Sequence, residues 1–157
     1  MILLDTNVMW EFMRPQPAAG VVAWLNRQPA GEVFLCAVSR AEIELGLALM
    51  PEGRRQDALT KTAQAMFAED FAGHCLPFDD AAAVWYARIV SARTRAGRPI
   101  SVEDAQIAAI ALAHRMVLAT RNTSDFELID CLTVVNPWTP EGKRPCMPKQ
   151  QPDESTG

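Results

Sequence analysis

The sequence predicts an α/β fold with a mainly parallel central sheet and helices on its faces. Two observations carry that expectation. Short apolar runs of strand length recur along the chain, "ILL" (2 to 4), "VFLCAV" (33 to 38), "MVLAT" (116 to 120) and "LTVV" (132 to 135). Between them lie stretches of helical periodicity, and strands that alternate with helices build a parallel sheet covered on both faces.

The first run ends on Asp5, Thr6 and Asn7. Asp and Asn favour turns because their side chains bond to their own backbone, so a turn alone explains "DTN". "VVAWLNR" (21 to 27) reads as a helix after a Pro/Gly loop. "RAEIELGLALM" (40 to 50) reads as a helix capped by Ser39, and "ALTKTAQAMFAEDF" (58 to 71) as one following Asp57. After a third apolar segment, "CLPF", a helix over 81 to 96 follows the Asp79/Asp80 pair and stops before Gly97. A last helix over 102 to 115 follows Ser101, with Ala105, Ala108, Ala109 and Ala113 allowing close packing. From residue 139, "TPEGKRPCMPKQQPDESTG" is rich in Pro, Gly and charge, and reads as a disordered tail beyond a single domain of residues 1 to 138.

Composition narrows the function classes. The apolar stretch "IAAIALA" is far shorter than the roughly 18 residues a spanning helix needs, and "MILLDTN" lacks the regions of a signal peptide. A cytoplasmic protein with no membrane association is expected. Cys36, Cys75, Cys131 and Cys146 are scattered, with His74 and His114 as the two histidines, which argues against a structural zinc site or a disulfide framework. A formal net charge of −4 is not that of a protein held to nucleic acid by bulk charge, so a nucleic-acid site would be a local patch.

In a parallel α/β sheet, ligands bind along the edge where strands end and the following helices begin. Four acids fall at such positions. Asp5 ends the first strand, Glu42 lies in the first turn of the helix from Ser39, Asp104 lies in the first turn of the helix from Ser101, and Asp125 sits in the loop "RNTSDF" after the fourth run. Asp104 carries a condition. A helix over 79 to 96 is about 27 Å long, whereas the six residues "GRPISV" reach about 20 Å fully extended. That helix must lie aslant for Asp104 to arrive at the same edge.

Capping explains two of these acids taken singly. Ser39 to Glu42 and Ser101 to Asp104 both have the spacing of a capping box, and Glu103 shows how common acids are in a first turn. Asp125 alone is a loop acid. Glu44, Asp70 and Asp80 are acids outside the pattern, with Glu44 about 200° around its helix from Glu42. The combination says more. Two carboxylates 4 Å apart repel by about 4 kcal/mol at an effective dielectric of 20, so a cluster of them calls for a cation. Oxygen ligands without His or Cys suit Mg²⁺ or Mn²⁺, and the chemistry this favours is phosphodiester hydrolysis.

On these segments the chain resembles the PIN-domain nucleases, and among them the VapC-type toxins of bacterial toxin–antitoxin pairs. The matching stretches are "ILLDTNV", "VSRAEIELGL", "SVEDAQIAAIAL" and "LATRNTSDFE", while "VVNPW" with "RPQP" is most similar to the FitB-like branch. The resemblance implies a PIN-like three-layer α/β/α sandwich and a divalent-metal-dependent endoribonuclease. It makes Asp5, Glu42, Asp104 and Asp125 the acidic quartet holding Mg²⁺ or Mn²⁺, with Thr6, Asn7, Thr120 and Asn122 orienting them. One departure from the pattern is that some relatives carry the fourth acid at the position of Asn122. The resemblance further implies a homodimer, an RNA substrate and a cognate antitoxin whose other end binds operator DNA.

Arg40, Arg98 and Arg121 are candidates for RNA-phosphate contacts, each otherwise a solvated surface charge. Trp10 and Phe12 suit base stacking, an antitoxin helix or core packing, and His114 a helix C-terminus. The competing reading is a catalytically inactive PIN-like module that binds RNA or protein. An aspartyl-phosphate enzyme is disfavoured, because Asn7 stands where a dehalogenase-type phosphatase has its second carboxylate, and the acidic pair of a receiver is missing.

Overall fold

The computed structural model describes residues 1–29 and 31–139. Its sheet has five strands, β1 (Ile2–Leu4), β2 (Val33–Cys36), β3 (Cys75–Leu76), β4 (Val117–Ala119) and β5 (Val134–Val135), in the order β3-β2-β1-β4-β5. Every neighbouring pair is parallel, with Ile2 opposite Val33 and Val117, and Leu4 opposite Ala119.

Alternation along these short strands builds two cores. Leu3, Cys36 and Leu118 face one layer, formed by α5 (Asp80–Arg95), α6 (Val102–Ala113) and Phe126 of α7 (Thr123–Phe126). Leu4, Leu35 and Ala119 face the other, formed by α1 (Thr6–Phe12), α2 (Ala19–Asn26), α3 (Ala37–Ala48) and α4 (Arg54–Ala65). A period of two sends successive side chains to opposite faces, so the expected three-layer α/β/α sandwich follows from the strand sequences themselves. Helix α6 is buried almost all round, and Ala105, Ala108 and Ala109 bring its backbone close to its neighbours.

Several boundaries differ from expectation. No helix was expected over residues 6 to 12, yet α1 starts directly after Asp5. Strand β2 ends at Cys36 and α3 begins at Ala37, ahead of Ser39. The apolar run passes from strand to helix without a polar break, and periodicity cannot divide it. Helix α4 begins at Arg54, so Asp57 lies in its first turn instead of preceding it, and a π-helical turn, Met66–Asp70, follows. Two caps stand where expected. Asp79 Oδ1 accepts the Ala82 N–H at 2.9 Å, and Ser101 Oγ accepts the Asp104 N–H at 3.1 Å. The end of α5 is a Schellman turn through Gly97 (φ 67°), with the Arg98 N–H on the Arg93 carbonyl and the Gly97 N–H on that of Thr94.

Beyond Thr139, the expected tail lies outside the described residues. Among those described, no helix is long and apolar enough to cross a membrane.

Candidate active site

Strands β1 and β4 are central neighbours, and their last residues carry the site. The Asp5 N–H continues the ladder to the Ala119 carbonyl at 2.9 Å, and the Thr120 N–H bonds to the Val135 carbonyl at 2.9 Å. Asp5 and Thr120 are therefore the next facing pair beyond Leu4 and Ala119. Both side chains are buried. The Thr120 hydroxyl donates to Asp5 Oδ2 at 2.7 Å, and Asn7 Nδ2 donates to the same oxygen at 2.8 Å. Thr120 Oγ1 also accepts from Asn7 Nδ2 at 3.0 Å and from the Asn122 N–H at 3.1 Å. With two donors on its lone pairs, its single proton is committed to Asp5. The other carboxylate oxygen, Oδ1, accepts the Thr6 N–H at 2.8 Å. Asp5 is thus the N-cap of α1, and "DTN" is a strand-to-helix junction, not a free turn.

The Thr6 hydroxyl turns outward from this network and donates to Glu42 Oε2. Glu42 lies in the second turn of α3, not the first, because the helix begins early. The proposed capping box at Ser39 does not form: Ser39 is fully buried inside α3, its Oγ 3.4 Å from Cys36 Sγ. The structural explanation of Glu42 as a cap partner is thereby removed. Asp104, by contrast, does sit in the first turn after its Ser cap.

Electrostatics links Asp5, Glu42 and Asp104 to one another, and Asp125 to Asp104 alone. Burial pushes the Asp5 carboxyl up to about 6; the Thr120 hydroxyl and Thr6 amide oppose this, and the charges of Asp104 and Glu42 add to it. Burial raises Glu42 as well, against its Thr6 hydrogen bond, and the Asp104 charge adds to the rise. Asp104 is raised by burial, then by Asp125 and Glu103. So Asp104 lies within electrostatic range of Asp5 at the end of β1. Asp125 lies exposed on α7, beside Asp104 electrically and outside the hydrogen-bonded network around Asp5.

The expected quartet is not drawn together as a ready ion site: among the described residues, no three His, Cys, Asp or Glu side chains form a group that would hold an ion directly. Mutual repulsion of uncompensated carboxylates opposes a tighter arrangement. The donor set nonetheless fits a hard cation. Mg²⁺ keeps several waters and takes one or two carboxylates. Cys36, at the end of β2, has its thiol pushed up by burial and stays protonated, a poor ligand.

Other candidates are distributed more loosely. Asn122 meets the network through its main-chain N–H on Thr120, and the Arg121 N–H donates to Asn7 Oδ1 at 3.1 Å. The Arg121 guanidinium lies 5.3 Å from the Trp138 ring centroid. Arg40 stacks over Phe67 at 4.7 Å and pairs with Glu44 at 3.6 Å, on the side of α3 away from Glu42. Arg98 is exposed in the loop before Ser101. Trp10 and Phe12 pack against the second core, and His114 caps the far end of α6.

Three residues that structure the chain gave no sequence signal: Gly46, which Trp10 abuts; Glu11, buried; and Arg93, also buried. Their roles depend on contacts between distant segments that no local pattern announces.

The sheet order and the helices on both faces define a parallel α/β/α domain with acidic side chains at the carboxyl edge of its sheet. The chain belongs to the PIN domain family, which it matches over residues 2–130. It is 43% identical to Toxin FitB of Neisseria gonorrhoeae over 138 residues, covering 88% of this chain and 99% of that protein. It is 39% identical to VapC ribonuclease Y4jK of Sinorhizobium fredii over 140 residues, 89% of this chain and 99% of that one. Among solved structures, FitAB bound to an IR36 DNA fragment superposes with a TM-score of 0.82 at 43% identity, covering 90% of this chain and 99% of that one.

Proposed function

We propose that this protein is the toxin of a toxin–antitoxin pair, a divalent-metal-dependent endoribonuclease that hydrolyses RNA phosphodiester bonds. The observation that carries the reading is the fixed orientation of Asp5, held by Thr6, Asn7 and Thr120 at the point where the charges of Glu42 and Asp104 converge. Support for the toxin role comes from relatives named as a FitB toxin and a VapC ribonuclease, and from the FitAB complex with DNA.

In this reading Asp5, Glu42, Asp104 and Asp125 hold Mg²⁺ or Mn²⁺. The ion when bound would lower the pKa of a water and offset phosphate charge. Thr120 and Asn7 keep the Asp5 carboxylate in one rotamer, and Thr6 links its position to that of Glu42. Orienting partners of this kind preserve ligand geometry that a free carboxylate would lose to rotation. Asn122 holds Thr120 through its backbone, and Asp125 supplies the fourth acid. Arg98 and Arg121, both exposed, are the candidates for phosphate contacts, together with Arg40. A cognate antitoxin would neutralise the protein, reaching operator DNA itself, and the toxin would act as a homodimer in the cytoplasm.

The test is cleavage of RNA by the purified protein with Mg²⁺ or Mn²⁺, its arrest by chelation and its recovery on adding metal back. RNA bound equally with and without metal, and never cut, would instead favour an inactive binding module.

A further inference from the structure

Arg93 lies in the last turn of α5, 7% exposed, and among the described residues no carboxylate pairs with it. Its donors go to two main-chain carbonyls instead. Nε donates to Arg98 at 2.8 Å, and Nη1 donates to Glu127 at 2.5 Å. Those carbonyls belong to different segments. Arg98 follows the Schellman turn at Gly97 and stands three residues before Ser101, the cap of the helix that bears Asp104. Glu127 is the C-cap of α7, two residues beyond Asp125.

Both segments need such a tie. Helix α7 has four residues, too short to persist by itself. It buries Phe126 on one side, and Leu128 immediately beyond it is exposed and in the left-handed region (φ 65°). The charge of Asp125 acts on Asp104, so the start of α6 and α7 carry like charges that do not hold them together. A guanidinium is a planar fork whose N–H directions are fixed, so it can hold two carbonyls at a set separation. The Glu127 carbonyl, at the C-cap of α7, also carries partial negative charge that favours a buried cation.

We propose that Arg93 is a positioning residue for the acidic corner, clamping the segment that leads into α6 to the end of α7 and so setting where Asp104 stands relative to Asp125. This rests on the metal-site reading of those acids. It touches neither substrate nor metal, and acts through the two backbone segments.

The test uses the full chain with Arg93→Met and Arg93→Lys, beside Ile89→Val, a core substitution elsewhere on α5. Folding is followed by thermal unfolding, local order by amide hydrogen exchange without metal, and metal affinity by titration with Mn²⁺ alone. In Arg93→Met, exchange is expected to quicken at the first turn of α6 and in α7 while the amides of Asp5 and Thr120 stay protected. Mn²⁺ affinity is expected to fall on the order of 10-fold, the size typical of losing an orienting group, with KM for RNA unchanged. Arg93→Lys keeps the charge but not the fork, and an intermediate loss is expected; it decides the question if the Met variant does not fold. Ile89→Val is expected to lower the unfolding temperature and leave Mn²⁺ affinity as it was. Equal Mn²⁺ affinity in wild type and folded Arg93 variants, with stability alone reduced, would overturn the clamp. Wild type that binds no Mn²⁺ would overturn the metal reading, and the clamp's purpose with it.

Discussion

The indole of Trp10 occupies the space beside Gly46 so closely that a Cβ on that glycine would stand 2.9 Å from Trp10 Cζ2. Thr6 and Trp10 are one turn apart on α1, and Glu42 and Gly46 one turn apart on α3. The two helices therefore meet twice, through a hydroxyl on a carboxylate and through a ring on a glycine. The second contact sets the approach that the first requires.

Gly46→Ala should accordingly destabilise the protein. Crowding a packed ring costs about 1–3 kcal/mol, and the better helix propensity of Ala returns about 1 kcal/mol. The expected net loss is about 1 kcal/mol in urea unfolding, accompanied by a weaker response of activity to metal as Thr6 moves from Glu42. Trp10→Phe in the Gly46→Ala background should recover part of the loss by restoring room. Purely additive effects of the two substitutions would contradict this coupling.

Thr120→Val keeps the shape of a fully buried side chain and removes the proton committed to Asp5. The Asn7 and Asn122 donors also lose their acceptor. A loss of about 1–3 kcal/mol is expected for these unmade bonds, with cleavage slowed by roughly 10- to 100-fold as the carboxylate loses its orientation. Thermal unfolding and single-turnover cleavage measure the two effects separately.

The raised Asp5 carboxyl has a definite pH consequence. Its folded value of about 6 lies above the ordinary 3.8, so the folded protein holds that proton more tightly than the unfolded chain. The resulting stabilisation is fully present below about pH 3.8 and is lost as pH rises through about 6. In metal-free protein, wild type should therefore lose roughly 3 kcal/mol relative to Asp5→Asn between these limits. Glu11 works in the opposite sense. The Ala18 amide foremost lowers its carboxyl, and its contribution disappears as pH falls. Comparing wild type with Asp5→Asn cancels that background, and parallel pH–stability curves would contradict the account.

Glu11 Oε1 accepts the Ala18 N–H at 2.7 Å, and Oε2 accepts from Arg14 Nη1 at 3.2 Å, so one buried side chain closes the "RPQP" loop. Glu11→Ala should cost about 1–3 kcal/mol by leaving the Ala18 amide unpaired. Glu11→Gln retains an acceptor and should lose less. Hydrogen exchange at Ala18 distinguishes the two variants.

The layers were legible in the sequence because apolar runs such as "ILL" and "VFLC" alternate with helical stretches, which calls for a parallel sheet with helices on both faces. Helix starts were less so. Asp5, Thr6 and Asn7 are turn-forming types, and the seven-residue α1 behind them is too short to declare a period; Ala37 and Val38 continue a strand-like run although they are helical. Topology sent Asp5, Glu42 and Asp125 to one edge, since strand ends and helix starts share it, whereas Asp104 depended on the course of the preceding helix, which no local pattern gives. The Asn7 to Thr120 bond joins residues 113 apart in the chain, and Arg93 joins three segments through backbone carbonyls that have no side-chain signature. Contacts of that kind exist only once the sheet has assembled.

The most direct measurement is RNA cleavage by wild type and Asp5→Asn in the same Mn²⁺ titration, with both proteins shown to be folded. Since losing an orienting partner costs up to about 100-fold, losing Asp5 itself should cost more than about 100-fold at every Mn²⁺ concentration. Cleavage by Asp5→Asn at the wild-type rate, in preparations free of contaminating nuclease, would contradict the assignment of this corner as the active site.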